Sequence, residues 1–172
     1  MEKKKSVAVC SFVLLLVISA VVIVTKKDER IMLLWHGEEV TEIEETQEVS
    51  YVAPEGKYSV TVTAVYETAP DTDEKDAPEA EKVVVVVYEY TNSDIEKGLV
   101  IGSSHFTAYD KDGNRLLQYP QKNLFEPGEI GEEGTHTASV AFAFNSDENY
   151  IKIGYYNDIS SDVPDSFYVK QW

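Results

Sequence analysis

The sequence predicts an all-β chain that folds as a two-sheet sandwich, and three observations lead there. Apolar and polar residues alternate with period two in several stretches after Pro54. Each stretch is bounded by Gly, Pro, Asn or Asp, and no segment beyond Thr25 sustains a 3.6-residue apolar period. The chain of 172 residues is 43% hydrophobic and 11% aromatic, so buried apolar surface can offset the entropy of ordering. Fifteen Lys and Arg against 31 Asp and Glu give a formal net charge of -16, which argues against nucleic acid and other phosphate-rich partners.

Residues 1–5 carry Lys3, Lys4 and Lys5 and form a cytoplasmic tail in this reading. Ser6 to Thr25 follows without a single charge. As a helix, that segment reaches roughly 30 Å, the thickness of a hydrocarbon core, and residues 6–25 are assigned as a transmembrane anchor or signal segment. Ser19 and Ala20 offer small residues for a secretory cut, but Val21 to Val24 continue the apolar run past them, which favours an uncleaved anchor. Cys10 stands near the front of the run, preceded by Val9, so a lipobox is absent. Lys26, Lys27 and Arg30 match the three lysines across the segment. The amino terminus and the lack of Lys or Arg between Arg30 and Lys57 set the orientation, with the C-terminal part extracytoplasmic. A cleaved segment makes the protein secreted. Trp35 is placed at the outer membrane interface, and with one Cys the chain forms no intramolecular disulfide.

Residues 26–56 are read as an acidic spacer, because six of the eleven residues from Glu38 to Glu48 are Glu. The folded domain is assigned to residues 57–172. Tyr58, Val60, Val62, Ala64 and Tyr66 mark one face of its first strand. From Ala69 to Lys82, Pro70, Pro78 and six acidic residues describe a long exposed loop. Val83 to Tyr90 is apolar on both faces, as a central strand requires. Further strands are expected at Ser104 to Tyr109, Arg115 to Tyr119, Thr135 to Phe144, Tyr150 to Tyr155 and Phe167 to Gln171. The inward sets are Val140, Phe142 and Phe144, then Ile151, Ile153 and Tyr155, then Phe167 and Val169. These strands, about seven in all, suit immunoglobulin-like topology, without the Cys and Trp markers of antibody domains.

Four ordered strings strengthen this assignment: Tyr58-Ser59-Val60-Thr61-Val62, Val85-Val86-Val87-Tyr88-Glu89-Tyr90-Thr91-Asn92, Phe106-Thr107-Ala108-Tyr109-Asp110-Lys111-Asp112-Gly113, and Glu126-Pro127-Gly128 leading into Val140-Ala141-Phe142. Together they resemble a family of uncharacterised extracytoplasmic domains of Gram-positive lipoproteins and signal-anchored proteins. That family is similar in fold to a mycobacterial immunoprotective antigen. The resemblance covers roughly Lys57 to Trp172 and implies an immunoglobulin-like sandwich at the cell surface. It carries over no catalytic residue.

Asp110-Lys111-Asp112-Gly113-Asn114 has the alternating oxygens of a calcium loop, yet Arg115 and Gln121 stand where an EF-hand needs Gly and Glu. The segment is read instead as a hairpin turn with Gly113 at positive φ. Gly102-Ser103-Ser104-His105-Phe106 lacks the second Gly of a nucleophile elbow. His36, His105 and His136 have no metal-ligand spacing, so no catalytic residue, metal or cofactor is assigned. If Phe167 and Val169 face inward, then Tyr150, Tyr156, Tyr168 and Trp172 face outward, as a patch for a protein partner or a sugar ring. The function expected is that of a membrane-anchored, non-enzymatic interaction or surface-display module. Its partners are the membrane, through the N-terminal helix, and an envelope protein or glycan. The alternatives are an envelope ligand or calcium sensor and, third, a cell-envelope hydrolase.

Overall fold

The computed structural model describes residues 48–172 in full and, for backbone only, the strands Arg30–Trp35 (β1) and Glu38–Ile43 (β2). Eight further strands follow: β3 (Val49–Ala53), β4 (Gly56–Thr68), β5 (Lys82–Asn92), β6 (Phe106–Tyr109), β7 (Arg115–Leu116), β8 (Thr135–Phe144), β9 (Tyr150–Tyr155) and β10 (Ser166–Gln171). One sheet has the order β3-β4-β5-β8 and the other the order β1-β2-β10-β9-β6-β7. The chain builds β3 to β5 in the first sheet and crosses to the second for β6 and β7. It returns for β8, which pairs with β5, and crosses again for β9, which pairs with β6. The tail and apolar segment, residues 1–25, lie outside the described residues. Among the described residues no helix is long and apolar enough to cross a membrane.

Each strand expected after Lys57 is present. The acidic stretch before it differs from the solvated spacer that its composition predicts, since strands occur there. β2 pairs in parallel with β10, Thr41 to Ile43 against Ser166 to Tyr168, and β3 pairs with β4 over Val49 to Ala53. The sandwich therefore begins at Val49 at the latest. Long-range backbone pairing supplies hydrogen bonds that a local count of glutamates does not reveal.

Two phase errors in the inward sets have local causes. β4 and β5 lose register between Val62 and Ala64, a bulge that rotates everything after it by one residue. Val65 then packs on the core, whereas Tyr66 is 45% exposed. In β10 the inward residues are Ser166 and Tyr168, so Phe167 and Val169 belong to the other face. Phe167 is nonetheless buried, with the Tyr109 ring edge-on at 6.1 Å and the Lys152 ammonium 4.3 Å from its centroid.

The main core lies between the sheets. Val60, Val62, Val84, Val86, Val140 and Phe142 face it from one side; Phe106, Ile151, Ile153 and Tyr155 face it from the other. A second apolar cluster lies on the outer face of β5 and β8, where Val83, Val85, Val87, Ala141 and Ala143 meet Tyr119. β5 is thus covered on both sides, which is why its valines show no alternation. The loop after β4 is not purely exposed, because its Ala77 and Ala80 help cover this outer cluster.

Candidate functional site

The four residues expected to share an exposed aromatic patch do not form one. Tyr168 is 0% exposed and lies in the core, because the phase of β10 is the reverse of that assumed. Tyr156 is buried at 9%, while Tyr150 and Trp172 keep partial exposure. Trp172 is fastened to the sheet: its indole N–H donates to Glu67 Oε2 at 3.1 Å, its carbonyl accepts from Asn149 Nδ2 at 2.7 Å, and its ring stands edge-on to Phe144. The Lys82 ammonium lies 5.7 Å from the Trp172 ring and 3.2 Å from Glu67. The hydrogen bond from Trp172 and then the contacts with Lys82 hold the Glu67 carboxyl below its usual range.

Tyr168 belongs instead to a polar network inside the sandwich. Tyr51 shares hydrogen bonds with Ser166 Oγ at 2.5 Å and with the Tyr168 hydroxyl at 3.2 Å, and Tyr168 donates to the Val60 carbonyl. Tyr58 meets the Tyr155 hydroxyl at 2.8 Å and donates to Asn157 Oδ1 at 2.6 Å. Burial pushes Tyr51 and Tyr58 up to about 12 and raises Tyr155 and Tyr168 as well. These phenols are neutral and bonded at physiological pH, so their role is to fix how the sheets meet.

The other sequence candidates resolve into local structure. Asp110 accepts backbone N–H bonds from Asp112 and Asn114 and a side-chain bond from Asn114, while Gly113 has φ 81°. Burial raises the Asp110 carboxyl, but these bonds outweigh it and the group ends below its usual range. This is the expected hairpin turn between β6 and β7. Among the described residues no group of three or more His, Cys, Asp or Glu is placed to hold a metal ion. His105 Nδ1 bonds the Tyr156 carbonyl at 2.7 Å, and His136 Nε2 bonds the Glu126 carbonyl at 2.9 Å. Neither of those nitrogens faces a serine hydroxyl. His36 lies outside the described residues.

Among the described residues, one feature with the shape of a site is a cleft of about 460 Å³ over the outer face of β8. One wall is segment 117–127, held by Tyr119 N–H to the Ala141 carbonyl at 2.8 Å and Ser139 N–H to the Phe125 carbonyl at 2.9 Å. The other is loop 69–81, fixed at both ends. Asp71 N–H donates to Gln121 Oε1 and Lys122 N–H to the Asp71 carbonyl; at the far end Glu81 N–H donates to Asn145 Oδ1. Between these anchors Tyr119, Leu124 and Ala141 line the space beside the loop, with Glu74, Asp76 and Glu126 around it. The sequence did carry a signal for it. A strand apolar on both faces requires a cover on each side, and a proline-rich acidic insertion beside that strand is available to provide one.

The described fold defines the class: an all-β two-sheet sandwich with eight strands between Val49 and Gln171. Solved structures share it at low identity. A Bacillus subtilis subsp. subtilis str. 168 protein described as a candidate lipoprotein matches with TM-score 0.55 and 17% identity over 74% of this chain and 38% of its own. The present chain therefore corresponds to well under half of that protein. The secreted protein MPT63 of Mycobacterium tuberculosis matches with TM-score 0.56 and 12% identity over 77% of this chain and 98% of its own. The yjhA protein of Bacillus subtilis matches with TM-score 0.51 and 11% identity over 74% and 97%. No protein-family model matches the chain, and no curated protein does.

Proposed function

We propose that this chain is a single-pass membrane protein whose acidic sandwich stands outside the cytoplasm and acts by binding an envelope partner, without a catalytic step. One juxtaposition carries the reading. An uncharged 20-residue segment, Ser6 to Thr25, precedes a sandwich whose plan recurs in a secreted protein and in a candidate lipoprotein. The strand exchange, β5 with β8 and β6 with β9, supports an immunoglobulin-like reading of the sandwich.

Fractionation and protease accessibility in intact cells test this proposal. The full-length chain is expected in the membrane fraction, with trypsin removing the sandwich from unbroken cells while a cytoplasmic marker survives. Protection of the sandwich until lysis would overturn the orientation. A mature chain beginning after Thr25 would replace the anchor with secretion.

A further inference from the structure

We propose that the cleft beside loop 69–81 receives a Lys or Arg side chain from an extended basic segment of a partner protein. The proposal rests on the binding-module reading and names the chemistry of its partner. The cleft is a built space, since backbone and side-chain hydrogen bonds tie one wall to β8 and the other to its neighbour and to Asn145 just after β8, so its shape exists before a ligand arrives. Its apolar part, Tyr119, Leu124 and Ala141, suits the methylene stem of a long cationic side chain. The three carboxylates around it, Glu74, Asp76 and Glu126, suit the charged head, and none of the described lining residues is a Lys, Arg or His.

Charge complementarity selects this occupant over a neutral apolar peptide. Lys122, on the neighbouring wall, is already held by Asp73 at 2.9 Å and Asp71 at 3.4 Å, so its charge is spent on the loop anchor. Lys75 lies between Glu74 and Asp76 in sequence but is exposed and does not line the cleft. With Asp71 and Asp73 paired to Lys122, the loop still carries Glu74, Asp76, Glu79 and Glu81 against Lys75, which leaves the entrance anionic. An anionic entrance over apolar walls raises the local concentration of a basic segment and orients it on approach. The exposed Phe125 ring beside the cleft offers an adjoining surface for the residue next to the cation.

The test uses the full chain in a non-ionic detergent and two capped pentapeptides, Ala-Leu-Arg-Leu-Ala and the same sequence with neutral citrulline in place of Arg. Calorimetry is run at about 0.15 M salt, where attraction beyond the nearest charges is screened. Binding of the Arg peptide is expected, with the citrulline peptide weaker by about tenfold or more. The triple variant Glu74→Gln, Asp76→Asn, Glu126→Gln is expected to lose a similar factor. A triple variant of equal charge change away from the cleft, Glu55→Gln, Glu96→Gln, Glu132→Gln, should lose less than about twofold. Equal losses in the two variants would show attraction by net charge alone and overturn the site. Equal affinity for Arg and citrulline would overturn the cationic occupant, and so would failure of the Arg peptide to bind. The peptide comparison on the unaltered chain does not depend on any variant folding. None of these outcomes bears on membrane placement, which is read by trypsin in intact cells.

Discussion

The inner and outer faces of the β5 and β8 pair are both apolar, yet they are closed in different ways. Inside, a second sheet lies across the valines, and the hydroxyls that reach the interior bond one another or a carbonyl, as Tyr58 does with Tyr155 and Tyr88 with Ile101. Outside, irregular segments do the covering. Loop 69–81 and segment 117–127 are held by scattered backbone and side-chain bonds, and a cleft remains between them. A sheet packed on a sheet interdigitates side chains at regular spacing and leaves little space. A loop over a sheet cannot repeat that spacing, so the covered face keeps a cavity that can serve binding.

The sharpest test of this contrast is a pair of truncations. Phe142 is 0% exposed in the inner core, and Phe142→Ala is expected to destabilise the fold by about 3–5 kcal/mol in chemical denaturation. Leu124→Ala, on the half-buried outer wall, should cost about 1 kcal/mol. Equal losses would mean that the loops seal the outer face as tightly as the second sheet seals the inner one.

Alkaline titration comes next. The Tyr51 phenol has its pKa raised by burial, from an ordinary value near 10 to about 12. Between these values the unfolded chain gives up a proton that the folded chain keeps, so stability is full below about pH 10 and falls as pH rises toward 12. Tyr51 alone accounts for about 2–3 kcal/mol of that fall. Absorbance of ionised phenol from the network should rise only with unfolding. Its rise with the fold intact would show the network open to solvent.

The smallest effect is expected at the β6–β7 turn. Asp110→Ala should cost about 0.5–1 kcal/mol at neutral pH, since its bonds are exposed. The native carboxyl is lowered, so its contribution is present above the ordinary carboxylate value. It is lost as pH falls through the lowered one. Stabilities of variant and parent should converge as pH falls well below the ordinary carboxylate value. A constant gap across that range would assign the loss to the turn backbone instead.

Much of this molecule was legible residue by residue. Val83 to Tyr90 is a buried central strand because β-branched residues on both faces have nowhere else to go, and Gly113 closes a turn because it tolerates positive φ. The failures occur where alternation is ambiguous. In β10, Phe167, Tyr168 and Val169 are all large and apolar in part, so hydropathy does not choose the phase. The choice falls to Tyr51, whose hydroxyl lies 117 residues away in sequence and 3.2 Å away in space. The bulge after Val62 is equally silent, because one added residue leaves the composition of β4 unchanged.

From sequence alone come the all-β class, the seven strands after Lys57, the acidic surface and the uncharged N-terminal segment, since each depends on local periodicity or composition. Tertiary structure decided the strands within the acidic stretch, the inward turn of Tyr168 and the cleft beside the loop. Those features depend on which distant backbone groups and hydroxyls find one another, and such pairing leaves no periodic trace along the chain.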